Sequence, residues 1–121
     1  MKRILLIDDD MDMMKITERW LIRGGYEVLM AASGGEALSL LEKGTVPDLI
    51  LLDFAMPQMD GPATLEAIRK LESAKDIPVV FRTGKEDGDA AAAMEKTGAR
   101  GIVSKADGKP GLMAVVSRIL A

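Results

Sequence analysis

The chain has 121 residues, enough for a single domain over 1–121 that buries about two-thirds of its unfolded surface. Its 16 Lys and Arg against 19 Asp and Glu leave a formal charge of −3, which argues against nucleic acid or an anionic membrane as a partner of this chain. With no cysteine and no histidine, thiolate and imidazole chemistry are excluded, so a metal would have to be held by oxygen, which points to Mg²⁺, Mn²⁺ or Ca²⁺.

The N-terminus carries two basic residues but only four clearly apolar ones before its aspartates, too few for a signal peptide, and no apolar run approaches a membrane span; a cytoplasmic location is expected. Five short apolar runs recur, at Ile4 to Ile7, Val28 to Ala31, Leu49 to Leu52, Val79 to Phe81 and Ile102 to Val103. Each is too short for a buried helix and lacks period-two alternation, as expected of parallel strands covered on both faces. Helical segments fall between them. Residues 11–23 carry Met14, Ile16, Trp20 and Leu21 as a helical apolar set and stop at Gly24-Gly25. Ser33 to Glu36 has the spacing of a capping box and opens a helix with Ala37, Leu38, Leu40 and Leu41 that ends near Gly44. Pro62 suits a first helical turn, with Leu65, Ile68 and Leu71 as its apolar face. A fourth helix runs from Ala90 through Met94 to Gly98, and a fifth from Leu112 to Leu120.

Strand and helix thus alternate five times, which predicts an α/β doubly wound (βα)5 three-layer sandwich with a five-stranded parallel sheet. Ligands of such sheets bind at the carboxyl ends of the strands, so the polar residues there matter most. They are Asp8 and Asp9 after the first strand, Asp53 after the third, Thr83 after the fourth and Lys105 after the fifth. Three carboxylates in one cleft need a counter-charge, and one lysine offsets only part of the excess. A hard divalent cation resolves the conflict. Mg²⁺ takes one or two carboxylates, keeps several waters and accepts a phosphate oxygen. The Thr83 hydroxyl and Lys105 ammonium are groups that would hold further oxygens of a phosphoryl transfer state, with Asp53 placed to attack phosphorus. Asp10 and Asp12 read instead as the start of the first helix, and Asp60 as a cap or turn residue before Gly61. The nine methionines are expected mainly as core filling.

Together these residues resemble the receiver domain of two-component response regulators, of the chemotaxis-regulator kind. The resemblance covers essentially the whole chain. It rests on the acidic pair in "ILLIDD", the motif "LLDFAMPQMDG", the Thr and small residue in "FRTG", and the strand-terminal lysine in "GIVSK". It implies the sheet order 2-1-3-4-5, phosphorylation of Asp53, direct ligation of Mg²⁺ (or Mn²⁺) by Asp9, action of Asp8 largely through water, and a further ligand in the Ala55 carbonyl. It further implies that Thr83 follows the phosphoryl group, that Lys105 pairs with it, that Gly84 leaves it room, and that Ala55 and Lys85 tune its lifetime. The phosphodonor would be a sensor histidine kinase or a phosphotransfer protein, and a downstream protein would read the face of the fourth helix, fifth strand and fifth helix. Such a domain is no enzyme beyond its own phosphorylation and dephosphorylation.

Two positions depart from the family pattern: Lys105 precedes Ala106 where a proline joined through a cis bond is usual, and Ile102 stands where an aromatic is frequent. A second Lys-Pro pair, Lys109-Pro110, follows Asp107-Gly108 and lies away from a strand end, so Lys105 is the expected ammonium. Those departures leave a docking module that works without phosphorylation as one alternative. A haloacid-dehalogenase-type phosphatase using Asp8 is another, but it leaves Asp53 and "MPQMDG" without a role. A calcium loop starting at Asp8 fails, since Met13 and Arg19 stand where Gly and Glu are required.

Overall fold

In the computed structural model, residues 1–84 and 89–121 are described. The chain runs β1 (Arg3–Ile7), α1 (Met11–Arg23), β2 (Glu27–Ala31), α2 (Gly34–Glu42), β3 (Leu49–Asp53), α3 (Gly61–Arg69), β4 (Val79–Thr83), α4 (Ala90–Thr97), β5 (Gly101–Ser104), a 3₁₀ turn (Lys105–Asp107) and α5 (Gly108–Leu120). The strands form one parallel sheet in the order β2-β1-β3-β4-β5, as the resemblance implied. The chain moves outward from β1 to β2, then crosses back to β3, so the winding reverses between β1 and β3. That reversal is the point where ligands of such sheets bind, at the strands' carboxyl ends, and it lies between Asp8 and Asp53.

Strand side chains alternate between faces, and both faces are apolar because both are covered. Ile4, Leu6, Leu51, Val80 and Val103 pack with Met14 and Leu21 of α1 and with Leu112 and Val116 of α5. Leu5, Ile7, Leu52 and Phe81 face the other way, onto Ala37 and Leu41 of α2 and Leu65 and Ile68 of α3. Of the methionines, Met14 and Met56 are buried, while Met11 is half exposed.

The helix starts follow from local chemistry. Asp10 Oδ1 accepts from the amides of Asp12 and Met13, both at 3.1 Å, and Asp60 Oδ1 accepts from Ala63 N at 2.9 Å. Ser33 Oγ accepts from Glu36 N at 3.1 Å. Each cap satisfies amides that have no partner within the helix. Ser33→Ala is therefore expected to cost about 1 kcal/mol, read as a lower midpoint in urea unfolding.

Three expectations need correction. Ile16 is exposed, and the stripe that α1 buries is Met14, Thr17 and Leu21. The third and fourth strands run on to Asp53 and Thr83, because these polar ends are still paired in the sheet. The fifth helix starts at Gly108, four residues earlier than expected. Pro110 falls within its first turn, where the amide that proline lacks would have had no helical partner.

Candidate functional site

The sheet brings four of the expected residues together at its carboxyl end. Asp8 follows β1 and is 1% exposed, Asp53 closes β3 and is 4% exposed, and Asp9 is exposed at the mouth. One carboxylate oxygen of each lies within 4.8 Å of the others. Lys105, following β5, reaches across the end of β4 to place Nζ 3.0 Å from Asp53 Oδ1 and 3.6 Å from Asp8 Oδ2. Lys109 lies in the first turn of α5, as its distance from a strand end foretold.

Asp8 is fixed from both sides: its amide donates to Ala31 O at 3.1 Å, and its Oδ1 accepts from Asp10 N at 2.9 Å. Its Oδ2 is buried with no hydrogen-bond partner among the described residues. Burial first and the neighbouring Asp8 charge second push the Asp53 carboxyl up to about 7, while Lys105 pulls the other way. Lys105 therefore leaves the site short of positive charge. Three clustered carboxylates, with Asp8 Oδ2 buried and met only by the Lys105 ammonium at 3.6 Å among the described residues, suit one hard divalent cation held directly or through water.

The loop from β3 to α3 is shaped by close approach. Gly61 N donates to Phe54 O at 2.8 Å, and Gln58 turns the chain with φ 67°. A Cβ on Gly61 would lie 2.7 Å from Asp53 O and 2.9 Å from Phe54 Cα, so only glycine lets α3 begin this near the end of β3. Ala55 is exposed two residues beyond Asp53.

Thr83 closes β4, 6% exposed, between the ends of β3 and β5, and Gly84 follows it at the surface. Lys85 lies outside the described residues. Beyond Lys105 the described peptides are all trans, and the chain takes another path from the one proline would set. Ser104 Oγ accepts from Ala106 N at 3.1 Å, an amide that proline would lack, and starts the 3₁₀ turn into α5.

The sequence reading missed two features. Phe54 meets Phe81 edge to face at 5.3 Å, with Ile102 packed in the same cluster, so an aromatic pair stands beside the site although β5 carries none. Arg82 is 2% exposed inside the α1–α5 face and donates from a guanidinium nitrogen to Thr17 Oγ1 at 2.9 Å. An apolar run that ends at Phe81 leaves Arg82 out of account. The signal that could have found it is a charge in strand register, two residues after the inward-facing Val80.

The family model described as response regulator receiver domain matches residues 4–117. The transcriptional regulatory protein ZraR of Escherichia coli is 37% identical over 118 residues, covering 98% of this chain and 26% of ZraR. PrrA of Mycobacterium tuberculosis is 36% identical over 97 residues, covering 80% of this chain and 40% of PrrA. The chain thus spans well under half the length of these relatives. Among solved structures, the chemotaxis protein CheY4 of Vibrio cholerae superimposes with a TM-score of 0.91 at 28% identity, covering 98% of each chain. No helix among the described residues is long and apolar enough to cross a membrane. A parallel sheet in this order, an acidic cluster at its carboxyl end and a family match over nearly its whole length agree: the chain belongs to the response regulator receiver domains of two-component signalling.

Proposed function

We propose that residues 1–121 form one receiver domain that accepts a phosphoryl group on Asp53 and changes its partner-binding face in response. The observation that carries this reading is the Asp53 carboxylate, buried and held at 3.0 Å by Lys105 within the Asp8-Asp9 cluster. Asp53 attacks the phosphorus of a phosphohistidine on a sensor kinase or phosphotransfer protein; the new O–P bond forms as the P–N bond breaks, and the imidazole leaves with a proton. Asp8, Asp9, Asp53 and the Ala55 carbonyl would hold Mg²⁺, or Mn²⁺ in its place. The cation supplies charge stabilisation for the phosphoryl oxygens. Lys105 keeps its place beside Asp53 and pairs with the incoming group, the Thr83 hydroxyl turns to it, and Gly84 leaves it room. Ala55 and Lys85 flank the site and set how soon water removes the phosphoryl group.

The added charge biases α4, β5 and α5 towards an active arrangement that a downstream protein reads. The domain carries out only its own phosphorylation and dephosphorylation, in the cytoplasm.

Incubation with Mg²⁺ and a small phosphodonor such as phosphoramidate is expected to add one phosphoryl group, found by mass spectrometry on Asp53 and absent from Asp53→Asn. No mass increase with any donor would favour a docking module that needs no phosphorylation. A label that survives Asp53→Asn and is lost in Asp8→Asn would make Asp8 the nucleophile and overturn the reading.

A further inference from the structure

Arg82 is a second buried cation that feels the charges of Asp8 and Asp53, although among the described residues it forms no direct ion pair with either. In the sheet register its Cα is paired with that of Asp53 on the neighbouring strand. By strand alternation Asp53 follows the parity of Leu51, and Arg82 that of Val80, so both project on the face that carries α1 and α5. Thr17 holds the guanidinium from α1, and the same hydroxyl donates to Met13 O at 2.8 Å, which fixes its lone pairs towards Arg82. Arg82 Nε is buried with no hydrogen-bond partner among the described residues, and so is Asp8 Oδ2. Burial lowers the arginine's pKa, while the charges of Asp8 and Asp53 work to keep it protonated. A tether of one bond among the described residues is a poor return for burying an arginine, unless the charge itself is in use.

We propose that Arg82 is a positioning residue of the acidic site: a built-in counter-charge, anchored to α1 through Thr17, that holds Asp8 and Asp53 together before a divalent cation arrives and that weakens the cation's binding once it does. The role rests on the reading of Asp8, Asp9 and Asp53 as a cation site. It makes that site's affinity a compromise. A site without the arginine would hold Mg²⁺ more tightly but would have less to oppose carboxylate repulsion when empty.

The test compares the parent with Arg82→Gln, which removes the charge and keeps a donor for Thr17, and with Arg82→Met, which removes both. Calorimetric titration with Mg²⁺ is expected to show Kd falling about tenfold in each, because a like charge near the divalent ion has gone. The rise in Tm on adding saturating Mg²⁺ is expected to be larger in both variants than in the parent. A purely structural arginine would leave Kd unchanged or raise it. Kd within about threefold of the parent, or weaker, in the variants overturns the proposal, as does failure of both to fold even at saturating Mg²⁺, which would replace the missing charge. A parent that takes up no more Mg²⁺ than Asp9→Asn removes the cation-site reading and this role together. A parent that binds, with variants equal to it, removes only the role of Arg82.

Discussion

Asp53→Asn is expected to stabilise the metal-free protein at pH 8 by roughly 2–4 kcal/mol, an unusual sign for a change at a buried polar position. The Asp53 carboxyl is raised from 3.8 to about 7 in the fold, chiefly by burial and then by Asp8. Between those two values the folded chain binds a proton that the unfolded chain has released. The contribution of this group to stability is therefore fully present below pH 4 and is lost as pH rises through about 7. Asparagine has no charge to desolvate and no repulsion with Asp8. Urea unfolding in chelator at pH 5 and pH 8 checks this: the parent should lose stability across the interval, and the variant should lose much less. Mg²⁺ should restore the parent at pH 8 and do little for the variant. Equal pH dependence in both proteins would mean that Asp53 does not carry the strain.

Gly61→Ala is expected to cost about 1–3 kcal/mol and to weaken Mg²⁺ uptake as well. The new methyl would meet the Asp53 carbonyl oxygen at 2.7 Å and Phe54 Cα at 2.9 Å, both backbone atoms that cannot rotate aside. The strain would be relieved by moving the start of α3 or the end of β3, and the latter carries the Asp53 side chain. Gly35→Ala is the matched control: its Cβ would meet nothing nearer than Ser33 Oγ at 4.0 Å, and α2 would gain a better helix former. Thermal unfolding should separate the two in opposite directions, and equal effects would place the requirement for glycine at 61 elsewhere.

The contrast between Gly61 and Arg82 shows what could be read in advance. The sheet was legible because uninterrupted apolar runs such as Leu49 to Leu52 have one economical placement, in a layer covered on both sides. Asp8, Asp9, Asp53 and Lys105 were legible because that placement sends strand ends to one rim, where the structure brings all four together. Thr17 and Arg82 were hidden because each looks wrong alone, a polar residue on a buried helix face and a charge in a buried strand. Their mutual hydrogen bond, 65 positions apart, is what pairs the two. Ile16 was misplaced for the same cause, since an apolar residue was preferred where Thr17 in fact faces inward.

Among the described residues β5 is a margin of the sheet, four residues long and paired with β4 alone, the kind of strand that peels away first. The lysine that follows it stretches past β4 to seize carboxylates at the ends of β3 and β1. The contact works as a clasp as well as a charge pair, fastening the sheet's outermost strand to its middle. Whatever draws Lys105 away from Asp53, or grips it harder, changes how firmly that margin is sewn down. Loss of the contact between Lys105 and Asp53 is therefore expected to loosen that margin before any other strand.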